Sequence, residues 1–456
     1  MVRAGLSALM IVGAAALWAA SQPAAAQEGL FERETLTGGW GGVRKPWQEA
    51  GVDLGGTYVA ETLSNPTGGL RQLTIYDGLL TLSLKLDLKK IANWPGASFY
   101  VDGYWISGRG LTRNAIGNLF TVSSIEALPS TRLHDLWLQQ EFLERQASIR
   151  IGQIALDDEF YISQYSAIFI NETFGCPDLL GFDIPSGGPC YPFAVPGVRV
   201  RAAPTTGLTL SAAAFNGNPA PPGPGDPQVR NPSNTNFLIG VGGTLVFAEA
   251  AYAFDAVSSS SLGQSDIKLG AWYHTADFPD LRRDTLGRTL ADPTSSGIGA
   301  THNGNFGFYA ILDKMLWRRS DTATQGLAGF IRVGNAPPNR NLISLEVDAG
   351  LSYKGLFAGR DLDILGVAAS YGRIGNAARR LDRDQILFAG AAGTTRSHEA
   401  VLEITYQAQI APWWVLQPDL QLVFQPGGNI ALPPPAPASR PIPNALVLGL
   451  RSTVTF

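Results

Sequence analysis

The last thirteen residues, Asn444 to Phe456, read N-A-L-V-L-G-L-R-S-T-V-T-F. Leu446, Leu448, Leu450, Val454 and Phe456 share one parity; Val447, Gly449, Arg451, Thr453 and Thr455 share the other. A two-residue period with one oily face is the mark of a strand whose two sides meet different solvents. The same alternation recurs upstream. Leu80, Leu82, Leu84, Leu86 and Leu88 interleave with Thr81, Ser83, Lys85, Asp87 and Lys89. Ile343, Leu345, Val347, Ala349, Leu351 and Tyr353 oppose Ser344, Glu346, Asp348, Gly350, Ser352 and Lys354. Ala400 to Ile410 repeats the pattern against Glu399, Glu403, Thr405, Gln407 and Gln409. In a soluble sandwich the charged face points outward, whereas in a membrane barrel it points into a wet lumen.

Strand counting separates these. Strands are expected near 51–61, 78–89, 97–107, 132–142, 147–155, 197–204, 207–216, 243–254, 265–275, 304–316, 325–334, 342–354, 362–373, 398–410, 413–425 and 444–456. The number is sixteen, and even. Long connections follow the first, third, fifth, seventh, ninth, thirteenth and fifteenth strands, and short ones follow the even strands. The connection after the eleventh, Asn335 to Asn341, is shorter than that rule requires. Short periplasmic turns and long external loops are the pattern of a transmembrane barrel, and a sandwich has no reason to sort its loops by parity. The expected fold is all-β: a closed antiparallel sixteen-stranded barrel wide enough for an aqueous channel. Aromatics near strand ends (Tyr353, Trp413, Trp414, Phe424, Phe456) suit interfacial girdles.

The start of the chain agrees with export. Arg3 is a positive n-region, Leu6 to Ala20 an apolar core, and Ala24-Ala25-Ala26 an A-x-A site before Gln27, so residues 1–26 read as a signal cleaved near Ala26. Ser21, Gln22 and Pro23 interrupt the apolar stretch, which is too short for a membrane anchor. Mean hydropathy is +0.05, and 52 Gly with 30 Pro suit many turns rather than a helical protein. Without Arg3 the chain carries 33 basic and 38 acidic residues, net −5, which gives no reason to expect nucleic acid. Cys176 and Cys190 read as a disulfide in an oxidising compartment. It would close a loop of about 15 residues, worth about 3 kcal/mol in the chain-entropy model. The four histidines are scattered, so neither a metal site nor a cofactor is expected.

The connection Leu156 to Pro196 is the longest and is rich in aromatics, among them Phe160, Tyr161, Phe169 and Phe174. Such a body argues against disorder. We read 156–196 as a constriction loop folded into the lumen; the alternative is an external cap. Its acids Asp157, Asp158 and Glu159 stand where the strand ends, with Arg150, Arg199 and Arg201 on neighbouring strands and Arg109 and Arg113 on the preceding long loop. Facing acids and bases across a narrow pore would set a transverse field that selects permeants. Tyr104, Trp105, Asn171 and Asp183 are candidate contacts for a sugar's C–H faces and hydroxyls.

Several stretches resemble the carbohydrate-selective porins of the OprB type: L-T-G-G-W-G-G-V-R (Leu36–Arg44), E-A-G-V-D-L (Glu49–Leu54), I-Y-D-G (Ile75–Gly78), I-F-I-N-E-T-F-G (Ile168–Gly175), P-S-G-G-P (Pro185–Pro189), Y-P-F-A-V-P-G-V-R-V (Tyr191–Val200), R-V-G-N-A-P-P-N-R-N (Arg332–Asn341), Y-K-G-L (Tyr353–Leu356) and Q-P-D-L-Q (Gln417–Gln421). The resemblance spans the mature chain. It implies a sixteen-stranded channel in a Gram-negative outer membrane for passive diffusion of sugars, monosaccharides such as glucose among them, without catalysis. It also implies a periplasmic segment, within residues 27–50, ahead of a barrel at 51–456. The cysteine pair departs from the family's pattern and bears on substrate preference. Expected partners are sugars as permeants, outer-membrane lipid, and the barrel-assembly machinery through the strand ending at Phe456. The barrel stands alone or as a homotrimer.

Three other readings compete with a selective channel. A general non-selective porin would pass sugars in linear proportion to concentration, whereas a selective one saturates. An enzyme barrel needs a nucleophile–base or paired-acid constellation; no G-x-S-x-G context occurs, and consecutive acids supply no glycosidase pair where the chain is extended. A structural or adhesive barrel has no signature of its own here.

Overall fold

The computed structural model describes residues 29–237, 239–254, 265–320 and 324–456. The signal segment expected at 1–26 lies outside them. Sixteen antiparallel strands, each paired to its sequence neighbours, close when β1 meets β16. The first half is β1 (Val52–Thr67), β2 (Thr74–Asp87), β3 (Ala97–Gly108), β4 (Ser130–Phe142), β5 (Ala147–Ile154), β6 (Val195–Thr205), β7 (Leu208–Asn216) and β8 (Thr244–Ala253). The second is β9 (Asp266–Asp284), β10 (Gly299–Arg318), β11 (Gly326–Asn335), β12 (Ile343–Lys354), β13 (Ile364–Ile374), β14 (His398–Ala411), β15 (Trp414–Phe424) and β16 (Ala445–Thr455). The C-terminal strand closes the wall, with Glu61 opposite Arg451 and Thr57 opposite Thr455. No helix among the described residues is long and apolar enough to cross a membrane.

Alternation sorts the two faces as its period requires. Leu82, Leu269, Phe308, Leu351 and Leu450 are exposed on the outside, an apolar belt that only lipid would cover. Ring pairs Trp317–Tyr353 and Trp413–Trp414 lie at strand ends near short turns. Trp105 belongs to the outer face: it pairs with Leu80 and is 52% exposed, whereas Tyr104 points inward. Adjacent residues of a regular strand point to opposite faces, so Trp105 is removed from the candidate sugar contacts.

Three departures from the expected layout have local causes. The connection after β1 is only 68–73, because β1 and β2 run on past their expected ends. Asn65 serves that turn, donating to Gly68 O (3.3 Å) and Arg71 O (2.9 Å) and accepting from Leu73 N (2.9 Å). A register shift between Ser64 and Thr67 accommodates Pro66, which has no ladder donor. β9 and β10 also extend well beyond the expected ends, as a hairpin with register shifts at 299–301 and 303–305. The thirteenth connection contains the helix Asn376–Ala389, whose Asp384 pairs with Arg282 of β9 at 2.8 Å.

The inward carboxylates are not bathed in water, as a wet lumen would have them. Glu346, Asp348, Glu399 and Glu403 are buried. Glu403 accepts from Ile170 N (2.6 Å) and Asn171 N (2.9 Å), Glu346 from Leu179 N (2.5 Å), and Glu399 from Leu119 N and Phe120 N (2.7 Å). The three glutamates satisfy backbone N–H groups of loops that have no ladder partner there, and Asp348 pairs with Arg332. A charged parity along these strands therefore serves to tether loops.

Candidate functional site

The segment 155–194 lies inside the barrel. Its aromatics meet an apolar inner wall on β7 to β11: Phe160 against Phe247 at 5.5 Å, Tyr161 stacked on Tyr309 at 4.0 Å, and Phe174 edge-on to Phe330 at 6.2 Å. Full burial of each such ring is worth about 1.5–3 kcal/mol. Arg332, paired to Asp348 at 2.8 Å, donates to Gly175 O at 3.0 Å and holds the far end of the segment. Cys176 and Cys190 form a disulfide with Cα atoms 6.2 Å apart. The preceding loop joins the same plug, with Glu172 N on Thr121 O (2.9 Å) and Ser124 N on Ile170 O (2.8 Å).

The plug is anchored on β8 to β15 through Glu249, Asp313, Glu346, Glu399, Glu403 and Gln421, and on the opposite side it meets β3 to β6 through Tyr104, Asp135, Arg150 and Arg199. A β-bulge shapes that side. Val101 pairs with Leu136 and Gly103 with Leu133, so Asp102 opposes both His134 and Asp135 and both turn inward. Asp102 accepts from Asp135 N at 2.7 Å and sits 3.2 Å from His134 Nδ1. Tyr104 stacks on His134 with centroids 4.4 Å apart, and Tyr191 of the loop leans on Tyr104 at 5.6 Å. His134, Asp135 and Asp158 bring ligand-type atoms within 4.8 Å of one another. Both oxygens of Asp135 are already occupied, by Trp137 Nε1 and Ala155 N at 2.9 Å each, so the trio is a hydrogen-bonded network more than an open metal ligand set.

The three consecutive acids have different roles. Glu159 is clamped between Arg150 and Arg199, the latter at 2.7 Å, and Gln139 and Ser148 take further guanidinium hydrogens. Arg150 also lies over the Trp137 ring at 3.7 Å. Asp157 accepts from Tyr191 N at 3.3 Å, and its other oxygen has no partner. Burial first, then the neighbouring Asp158 charge, pushes the Asp157 carboxyl up to about 7, against the opposing pull of His134. Asp158 is exposed at its surface, yet the protein packed round its carboxyl raises it by desolvation first, against the pull of His134. Towards the short-turn end, a cavity of about 620 Å³ is lined by Lys85, Trp137, Gln139 and Arg150 among others.

The remaining candidates are placed as follows. Arg201 is exposed on the same strand face as Arg199. Arg109 is exposed, with its backbone N–H on Asp77 at 2.8 Å, and Arg113 pairs with Asp226 at 3.1 Å. Asn171 is fully buried against Gln421 (3.0 Å), and Asp183 accepts from Ile343 N at 3.3 Å. Asn171 and Asp183 therefore fasten the plug to the wall. Sequence reasoning missed Asp102 and Asp135. Two inward neighbours on one strand break the alternation rule, and only the bulge reveals them.

A closed sixteen-stranded barrel with an internal loop agrees with comparison to known proteins. The sequence profile described as carbohydrate-selective porin, OprB family, matches residues 71–456. The chain belongs to that family. It is a sugar porin of the Gram-negative outer membrane, a channel whose permeants are carbohydrates. Porin B of Pseudomonas aeruginosa is 23% identical over 442 residues, covering 92% of this chain and 91% of the relative. A putative porin, QuiX, of Acinetobacter baylyi is 23% identical over 427 residues, covering 87% and 90%. The high-pH structure of Pseudomonas putida OprB shares the fold with a TM-score of 0.82 at 22% identity, covering 94% of this porin and all of that chain.

Proposed function

We propose that this porin selects small sugars, monosaccharides such as glucose, by making them pass the plug on its β3–β6 side. The observation that carries the reading is the meeting of Tyr104, Tyr191, His134, Asp157 and Asp158 beside that passage. Aromatic faces suit a sugar's C–H surface, and carboxylates with imidazole suit its hydroxyls. The segment 155–194 acts as the constriction loop, and the exposed Arg201 adds a base towards the short-turn end. Because Arg150 and Arg199 are engaged by Glu159, the field at the narrow point is set by Asp157 and Asp158 rather than by opposed acids and bases.

Residues 30–50 act as a periplasmic segment that seats the end of the barrel seam. In support, Leu36 N donates to Thr455 O at 2.8 Å, Arg44 Nη2 to Phe456 O at 3.1 Å, and Trp413 Nε1 to Leu30 O at 2.8 Å. The C-terminal strand would serve barrel assembly in the same region. Liposome swelling tests the size selection. Monosaccharides should enter faster than tri- and tetrasaccharides by more than their diffusion coefficients explain. Entry in strict proportion to diffusion would point to a general porin.

A further inference from the structure

The disulfide joins two arms of the plug, and between them lies a cavity of about 170 Å³. Glu172 and Asp178 reach it from one arm, Tyr191 and Phe193 from the other. Glu172 is half-buried, and the neighbouring Gly181 and Phe182 are exposed. Asp178 is only 6% exposed, and its Oδ2 has no hydrogen-bond partner. A buried acceptor left unpaired is costly, which points to a missing donor.

The charges nearby do not supply it. Arg132 lies over Phe193 at 5.0 Å and donates to Asn231 O (2.8 Å) and Gln228 O (3.2 Å). Arg230 donates to Ser186 Oγ at 3.1 Å and to Pro221 O. Burial, followed by the charges of Glu172, Glu346, Glu399 and Asp348, drives the Asp178 carboxyl well up. Burial pushes Glu172 up to about 8, with Glu126 and Asp157 adding to it and a Thr121 hydrogen bond easing it. A cation seated between them would favour their charged forms and give the unpaired Asp178 oxygen a donor. A hard metal ion would want six or more oxygens. Here the other walls are aromatic rings, prolines, glycines, the disulfide and the neutral polar residues Thr121, Ser186 and Gln228, with no third carboxylate.

We infer that this cavity is a subsite for the protonated amine of an amino sugar, with Glu172 and Asp178 receiving the ammonium and Tyr191 and Phe193 facing the ring. An ammonium brings three donors, and its hydrogen bonds to carboxylates are stronger than a neutral hydroxyl's. The inference rests on the lumen being a sugar path and names a preferred class of permeant within it.

The test is block of single-channel current in planar bilayers holding the full-length porin, with glucosamine, glucose, glucuronate and ethanolamine as probes at neutral pH. Glucosamine should block at about tenfold lower concentration than glucose, with glucuronate weakest. Glu172→Gln and Asp178→Asn should each pull the glucosamine-to-glucose ratio towards parity. If Asp178→Asn fails to show a folded barrel by heat-modifiable gel migration, Glu172→Gln, at a half-buried position, still decides. Equal block by glucosamine and glucose, or block by ethanolamine as strong as by glucosamine, overturns the subsite. Block by glucosamine alone would uphold it while removing the neutral-sugar reading. Block by none of the sugars would end both.

Discussion

At the scale of residues, the passage is governed by which charges are already engaged. Glu159 is shared by two guanidinium groups, and its side chain is 9% exposed. Glu159→Gln would leave Arg150 and Arg199 without their counter-charge, a loss of about 3 kcal/mol for a buried pair. It would also release positive charge towards the passage. Expected results are a lower melting temperature and a reversal potential shifted towards anions, both measurable on purified protein. Asp157 offers a pH effect of definite sign. Its carboxyl is raised to about 7, chiefly by burial and then by Asp158, so it is neutral below that pH and charged above it. Cation preference should therefore grow as pH rises through 7, with the Asp157/Asp158 pair titrating as a unit. Asp157→Asn should flatten that step in a series of reversal potentials.

At the scale of elements, the plug is held by carboxylates of the wall, and this alters how strand patterns read. The alternation in β12 and β14 was legible as two faces in different surroundings. That Glu346 and Glu403 bind loop N–H groups was not, because a charged parity looks the same whether it meets water or backbone donors. Glu403→Ala would orphan Ile170 N and Asn171 N, costing about 1–3 kcal/mol locally. The expected outcome is a noisier channel with faster hydrogen exchange in 168–174 and an intact barrel, visible by single-channel recording and mass spectrometry. The disulfide acts on the same element. Replacing Cys176 and Cys190 by Ser should change conductance or sugar block and leave heat-modifiable gel migration as it was. An unchanged channel would detach the disulfide from the passage.

At the scale of the whole molecule, sixteen strands could be read from period-two patterns and turn residues, and so could the sorting of loops by parity, except after β1 and β11, whose connections are short. The lipid-facing side depends on nothing else. Positions inside the lumen depend on register, which slips at bulges that composition does not mark. Tyr104 and Trp105 illustrate the first limit, since of these two neighbours on one strand only Tyr104 faces the lumen. Asp102, His134 and Asp135 illustrate the second. The extensions of β9 and β10 past their expected ends, and the helix Asn376–Ala389, were not legible in those patterns.

The central claim is a binding site along a narrowed passage. Its most direct test is the conductance of single refolded channels titrated with glucose in a fixed salt background. The account predicts current block that saturates at millimolar glucose and weakens when Tyr104 or Tyr191 is replaced by alanine. Current that falls only in proportion to solution viscosity, identically in wild type and variants, would contradict it.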